Sequence, residues 1–276
     1  LSGPGTVERY LLQRTKRASI CAALIDPEDF SPKQAADTAE KAIKAGVGMI
    51  LVGGSTLSDQ GELDQVVQAI KRITKDVTTS PGASQPVPVV LFPGNVTGVS
   101  RFADAILFSS LLNSTNSYFI IGAQALGAMG VYNAGIESIP MGYLVFGDDN
   151  TAGFIGQVNS LPPSKPNVAL IYALAAKYLG MRTLYLEAGS GATEPIPPET
   201  IRLVRKFYDG ILIIGGGITS SEAADRAAKA GANIIVVGNL LQTPGYEKAL
   251  RQIATAIKHK DPTHRAQTPL GQSTNA

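Results

Sequence analysis

The side chains in this sequence that could do chemistry sit at a few breaks where apolar runs end. One is Leu24-Ile25-Asp26-Pro27-Glu28, where an apolar run ends on the Asp26 carboxylate and Pro27 closes the strand. A second run ends Gly53-Gly54-Ser55-Thr56. A carboxylate and a hydroxyl are hard oxygen donors, and they suit Mg2+, which keeps several waters and needs few protein ligands when substrate phosphates supply the rest. An ordinary Asp-Pro turn and a Gly-Gly-Ser helix cap account for the same residues equally well. The third break, Tyr185-Leu186-Glu187-Ala188-Gly189-Ser190-Gly191, places Glu187 beside a glycine turn. A carboxylate there can accept hydrogen bonds from substrate hydroxyls, and Tyr185, two residues earlier, points to the same side of a strand. The pair suits a small polyol phosphate. A buried structural ion pair is the plainer alternative for Glu187.

Two later breaks carry no titrating group: Gly215-Gly216-Gly217 and Gly238-Asn239-Leu240. Glycines let backbone N–H groups approach an anion, and in (β/α)8 barrels the loops after strands seven and eight commonly hold phosphate. A tight strand-to-helix turn would also use such glycines. Their paired placement after the last two strands favours phosphate. A dinucleotide fold would need GxGxxG after the first strand. Both histidines, His259 and His264, fall near the C-terminus, which argues against Ser-His-Asp and His-metal chemistry.

These breaks need elements to hold them. Eight short apolar runs, rich in Ile, Leu and Val and without strict alternation, read as parallel strands covered on both faces: 18–25, 48–52, 87–91, 105–108, 139–146, 183–186, 211–214 and 233–237. Helical patterns fill the intervals at 32–45, 61–75, 116–128, 167–179, 198–207, 221–230 and 246–258. No helix reads between Leu91 and Ala105, where Pro93, Gly94, Asn95 and Gly98 suggest loop, so one outer helix is expected to be missing. The fold class expected is α/β, a (β/α)8 TIM barrel over residues 1–258, with a polar, disordered tail at 259–276. Residues 78–88, dense in Ser, Pro and Gly, read as a mobile loop.

Composition narrows the partners. A formal charge of +2 with no basic block favours neither nucleic acid nor a polybasic membrane anchor, and no stretch of about 20 residues is purely apolar. The lone Cys21 fits a reducing, cytoplasmic setting, and residues 1–17 lack the apolar core of a secretion signal. Between Ala105 and Ile136 there is no formally charged side chain. This is either a plain buried βα unit or the lining of a groove for an apolar substrate.

Eight segments taken together resemble the geranylgeranylglyceryl phosphate synthase family, with its bacterial heptaprenylglyceryl relatives: Leu24–Pro27, Val52–Ser55, Phe92–Asn95, Ser110–Ser114, Ile139–Tyr143, Tyr185–Gly191, Gly215–Gly217 and Gly238-Asn239. The resemblance runs in order from about Ala18 to Lys258, and the Tyr185–Gly191 motif is its most specific part. It implies a barrel whose third helix is replaced by an extended segment. It also implies that Asp26 and Ser55 hold Mg2+. Tyr185–Gly191, Gly216, Gly217, Gly238 and Asn239 would hold sn-glycerol 1-phosphate, with Glu187 on the glycerol hydroxyls.

The implied reaction joins geranylgeranyl diphosphate to that phosphate and releases diphosphate, making the first ether bond of archaeal-type lipids. A longer prenyl diphosphate such as heptaprenyl is the alternative. Glu187 and Asp26 are the expected catalytic groups, and a homo-oligomer with transient membrane-surface contact for product release is the expected working form. Phe108, Tyr118 and Phe119 are candidates for the stop at the end of a prenyl groove. A Schiff-base aldolase is disfavoured, since none of the eight runs carries a lysine. A non-catalytic carrier that kept the fold would bind without turnover.

Overall fold

The computed structural model describes residues 3–54, 59–79, 86–147 and 150–258. Its strands are β1 (Ile20–Ile25), β2 (Met49–Val52), β3 (Val89–Leu91), β4 (Ala105–Leu111), β5 (Glu137–Val145), β6 (Thr183–Glu187), β7 (Ile211–Gly215) and β8 (Ile234–Val237). They run parallel, each pairs with the next in sequence, and β8 closes on β1 through Ile20↔Ile234 and Ala22↔Val236. The expected (β/α)8 barrel is therefore the observed architecture.

Strand alternation sorts the apolar residues into two cores. Ile20, Ala22, Met49, Leu51, Ile213 and Val236 point into the barrel, while Cys21, Ala23, Ile50, Val52, Ile214 and Val237 pack outward against the helices. Burial on both faces explains why the strands read as continuous apolar runs.

The helices are α1 (Thr6–Thr15), α2 (Pro32–Ala45), α3 (Gln60–Thr79), α4 (Ala123–Ala134), α5 (Thr151–Ile155), α6 (Pro166–Tyr178), α7 (Pro198–Phe207), α8 (Ser221–Lys229) and α9 (Tyr246–Ala256). Local signals explain their ends. Ser31 and Gln34 form a capping box at α2, which stops at Gly46 in the left-handed region. Ser220 caps α8 by accepting the Ala223 N–H.

Between β3 and β4, residues 92–104 contain no helix, as the sequence led one to expect. Two other expectations need correction. Thr78 and Thr79 belong to α3 rather than to a loop. Of the supposed loop at 78–88, residues 80–85 lie outside the described residues, as does the tail at 259–276. The fourth outer helix continues to Ala134, because Gly127 and Gly130 sit inside it and the chain turns only at Gly135, φ +68°. The short α5 and the amino-terminal α1 carry no strong sequence signal.

Helix α1 lies near the amino-terminal end of the strands. Val7 and Leu11 join the barrel-interior core, and the Glu137 carboxylate at the start of β5 accepts the Val7 and Glu8 N–H groups at 2.7 and 2.9 Å. Glu8, nearly fully buried, makes a bidentate ion pair with Arg182 just ahead of β6, at 2.6 and 2.8 Å. That end of the barrel is closed, which leaves the carboxyl ends of the strands for chemistry.

Candidate active site

Glu187 is the last residue of β6. Alternation points Thr183, Tyr185 and Glu187 inward and sends Leu184 and Leu186 to the outer core. The Glu187 carboxylate is only 8% exposed and accepts the Gly189 N–H at 2.7 Å. Burial pushes its carboxyl above the ordinary glutamate value, while the Gly189 N–H and the Tyr185 hydroxyl pull it back. Burial and the nearby Glu187 charge push the Tyr143 and Tyr185 hydroxyls well above the usual tyrosine range.

The turns around Glu187 depend on missing side chains. Gly215 pairs with Glu187 across the sheet, and a β-carbon there would fall 2.0 Å from the Tyr185 hydroxyl. Gly216, at φ +80°, would place a β-carbon 2.6 Å from Glu187 Oε1. Ser190 donates to the Asn239 side-chain oxygen at 3.0 Å, tying the turn after β6 to the turn after β8.

The resulting pocket encloses about 730 Å3 of empty space, part of it open to solvent. Tyr185, Glu187, Gly189, Ser190 and Gly191 line it from one side, with Gly216, Gly217, Gly238 and Asn239 opposite. Nine of the proposed substrate contacts thus converge. Two do not. Leu186 is fully buried among outer-core side chains and Ala188 packs against that same core, so neither side chain lines the pocket, and the strand alternation that aims Glu187 inward is the reason.

A second pocket adjoins the first, and among the described residues no charged side chain lines it. It encloses about 1000 Å3, again including open solvent, and lies against the helix-free segment, between Phe92–Val99 and α4. Ile106, Phe108, Phe119 and Val131 make its wall largely apolar. Leu24, Tyr143 and Ala152 border both pockets, so the two meet there. Three aromatic rings gather near this junction: Phe92 stacks on Tyr185 at 5.1 Å between centroids, and Tyr143 meets both edge-on at 5.4 and 5.3 Å. Among the described residues no Lys, Arg or His lines either pocket.

Asp26 follows β1 at the same end of the barrel, half-buried, with its carboxylate against Gly54. Its Oδ1 accepts the Glu28 N–H at 3.1 Å. Burial pushes its carboxyl up, the Glu28 N–H lowers it, and the charges of Asp29 and Glu28 add to the rise; no lysine or arginine among the described residues pairs with it. No cluster of three or more His, Cys, Asp or Glu side chains among the described residues could hold a metal. A lone carboxylate short of a cation fits a hard ion whose remaining ligands are water and substrate oxygens. Ser55 lies outside the described residues.

The model of the PcrB family matches residues 13–257. This chain belongs to the PcrB family. The geranylgeranylglyceryl phosphate synthase of Cenarchaeum symbiosum is 50% identical over 254 residues, covering 92% of this chain and 98% of that protein. The synthase of Thermococcus gammatolerans is 49% identical, covering 90% and 95%. The crystal structure of (S)-3-O-geranylgeranylglyceryl phosphate synthase from Thermoplasma acidophilum, in complex with its substrate sn-glycerol-1-phosphate, superposes with a TM-score of 0.85 at 38% identity, covering 92% and 99%. The family resemblance read from the motifs is thereby borne out, and with it the assignment of this PcrB-family chain as an enzyme, a prenyltransferase.

Sequence reasoning did not assign a site role to Tyr143, Leu24 or Asn150. Tyr143 stands beside Tyr185 in the β5–β6 register, so strand pairing was the signal that could have found it. Asn150 caps α5 by accepting the Gly153 N–H at 2.6 Å, and a β-carbon on Gly189 would lie 2.5 Å from its own. That neighbour is remote in sequence and left no local mark.

Proposed function

We propose that this protein catalyses the Mg2+-dependent transfer of a geranylgeranyl group from its diphosphate to a primary hydroxyl of sn-glycerol 1-phosphate, making the first ether bond of archaeal-type membrane lipids. The observation that carries the reading is the junction of two pockets: one bounded by Glu187 and glycine turns, the other walled by Ile106, Phe108, Phe119 and Val131 with no charged side chain among the described residues, joined at Leu24, Tyr143 and Ala152. A polar phosphate and an apolar tail cannot share one lining, and a reaction joining them needs their reactive ends to meet.

In the polar pocket, backbone N–H groups around Gly216, Gly217 and Gly238 hold the phosphate, and Glu187 orients the glycerol hydroxyl. The hydroxyl oxygen attacks C1 of the prenyl chain as the C1–O bond to diphosphate breaks. The diphosphate leaves with that electron pair, and the hydroxyl proton passes to Glu187. A carboxylate poised above its ordinary value by burial is a better base than an exposed one. The faces of Tyr143 and Phe92 stabilise positive charge developing at C1. Asp26, together with Ser55 as the family resemblance implies, would hold Mg2+, and the ion would supply neutralisation of the leaving diphosphate's charge.

A C20 chain is favoured over heptaprenyl because relatives at 45–50% identity bear the geranylgeranyl name, and because the bulky rings of Phe108 and Phe119 line the groove. Exposed Leu126, Met129 and Tyr132 on α4, with Ile171 and Tyr178 on α6, support a homo-oligomer. No helix among the described residues is long and apolar enough to cross a membrane, and the amphipathic product is suited to leave by transient contact with a membrane surface. Incubating the protein with sn-glycerol 1-phosphate and prenyl diphosphates of several lengths, followed by lipid mass spectrometry, tests the reading. Ether product from the C20 diphosphate supports it, and binding without turnover refutes it in favour of a carrier.

A further inference from the structure

The turn that brings Phe119 to the apolar groove is irregular. Residues Tyr118–Gly122 wind as a π turn ahead of α4, with the Ala123 N–H donated to the Tyr118 carbonyl five residues back. Such a turn disturbs the regular helical bonding around it and often marks a functional site. Here two side chains serve its carbonyls. Ser110 Oγ donates to the Ile120 carbonyl at 2.6 Å, and Gln124 Nε2 donates to the Phe119 carbonyl at 3.1 Å. The same Gln124 nitrogen donates to the Ser109 carbonyl at 2.6 Å. Ser109 and Ser110 lie on β4 beyond its pairing with β3, which ends at Leu91↔Ile106, so this stretch borders the gap left by the missing helix.

Gln124 therefore ties the π turn to the strand that forms the groove wall. Two carbonyl acceptors fix which end of its amide is nitrogen, and Oε1 is buried without a hydrogen-bond partner among the described residues. Leaving an amide oxygen so placed is unfavourable, and a leucine or methionine would fill an apolar wall without that burden. The two donated hydrogen bonds are what explain a glutamine at this position.

We propose that Gln124, assisted by Ser110, is a positioning residue for chain-length selection: it fixes the depth at which the Phe119 ring enters the groove, and so sets the longest prenyl chain accepted. This rests on the prenyl-transfer reading of the groove. A ring held from both strand and turn presents a rigid stop, whereas a ring on a loosened turn yields to a longer chain.

The test measures kcat/KM of the full chain with C20 and C35 prenyl diphosphates at saturating sn-glycerol 1-phosphate. Gln124→Met keeps the volume and removes both donors, Ser110→Ala removes the other tie, and Phe119→Ala sets the ceiling. In Gln124→Met the C35-to-C20 ratio is expected to rise roughly tenfold or more, with a smaller rise in Ser110→Ala. The KM for glycerol 1-phosphate is expected to stay put in both, which a general loss of structure would not allow. An unchanged ratio in folded Gln124→Met, or an equal loss with both chain lengths, overturns the proposal. Should that variant not fold by circular dichroism, the ratio in Ser110→Ala decides. If the unsubstituted protein turns over neither diphosphate, the prenyl-transfer reading falls and this proposal falls with it; turnover with an unmoved ratio removes the Gln124 role alone.

Discussion

Gly216 and Glu187 stand so close that a β-carbon on the glycine would lie 2.6 Å from the carboxylate Oε1, and as near to the Gly189 N–H that holds the carboxylate. The phosphate turn and the acid are thus one packed unit. Gly216→Ala must shift that unit and adopt φ +80°, a left-handed conformation costing an L-residue about 1 kcal/mol or more. We expect a lower melting temperature and an apparent KM for glycerol 1-phosphate raised by about tenfold or more. Gly238 differs: its φ is −117° and, among the described residues, a β-carbon would meet nothing nearer than Leu24 at 3.7 Å. Gly238→Ala should keep its melting temperature and lose only phosphate affinity, which parallel melting and titration experiments would check.

Glu187→Gln removes the proton acceptor but keeps the shape. Turnover should fall by about 10²–10⁴-fold, with prenyl diphosphate binding retained. Near-normal turnover would rule out the base role.

The raised carboxyl of Glu187 also has a sign in stability. Its folded-state value lies above the unfolded one, so the folded form holds its proton more tightly, and the stability this gives is present at low pH and lost as pH rises through the folded value. Relative to the unsubstituted protein, Glu187→Gln should therefore melt at the same or a higher temperature at neutral pH, with the difference closing in acid. Activity should also decline with falling pH from above the ordinary glutamate range, as the base takes up its proton. A variant that melts well below the parent at pH 7 would point to a structural ion pair instead.

Asp26→Asn should raise the Mg2+ concentration giving half-maximal rate and weaken prenyl diphosphate binding, with little change in glycerol phosphate binding. An unaltered magnesium dependence would remove Asp26 from the metal site.

Of the three rings proposed as the groove's stop, Phe108 and Phe119 line it, while Tyr118 is 36% exposed and packs edge-on against Phe119 at 5.2 Å. Phe119→Ala or Phe108→Ala should admit C35 diphosphate while keeping C20 turnover. Each buried methylene contributes about 0.8 kcal/mol, so extra groove length shows readily in the C35 rate. Tyr118→Ala should change the ratio little.

The strands and most outer helices were legible because burial on both faces writes Ile, Leu and Val in short runs, and because Ser31, Gly46 and Ser220 are strong end signals. Asp26 and Glu187 were legible because each ends such a run beside a turn. Helix α1 was not, since its anchors, Glu137 under its first turn and Arg182 on Glu8, are more than a hundred residues away. The Leu186 side chain faces the outer core, since alternate residues of a strand face opposite ways, which a motif read as a block ignores. Gln124 left no sign, because an ordinary glutamine in an uncharged stretch acquires meaning only from the two carbonyls it meets.

The central claim is that the two pockets join their contents into one ether-linked product, and the stoichiometry of diphosphate release tests it most directly. Phosphorus NMR of the protein with geranylgeranyl diphosphate and Mg2+ should show little free diphosphate until sn-glycerol 1-phosphate is added. Thereafter diphosphate and the prenylated phosphomonoester should rise in equal amounts. Diphosphate released at the same rate without glycerol 1-phosphate, or no ether product with any prenyl diphosphate, would contradict the account.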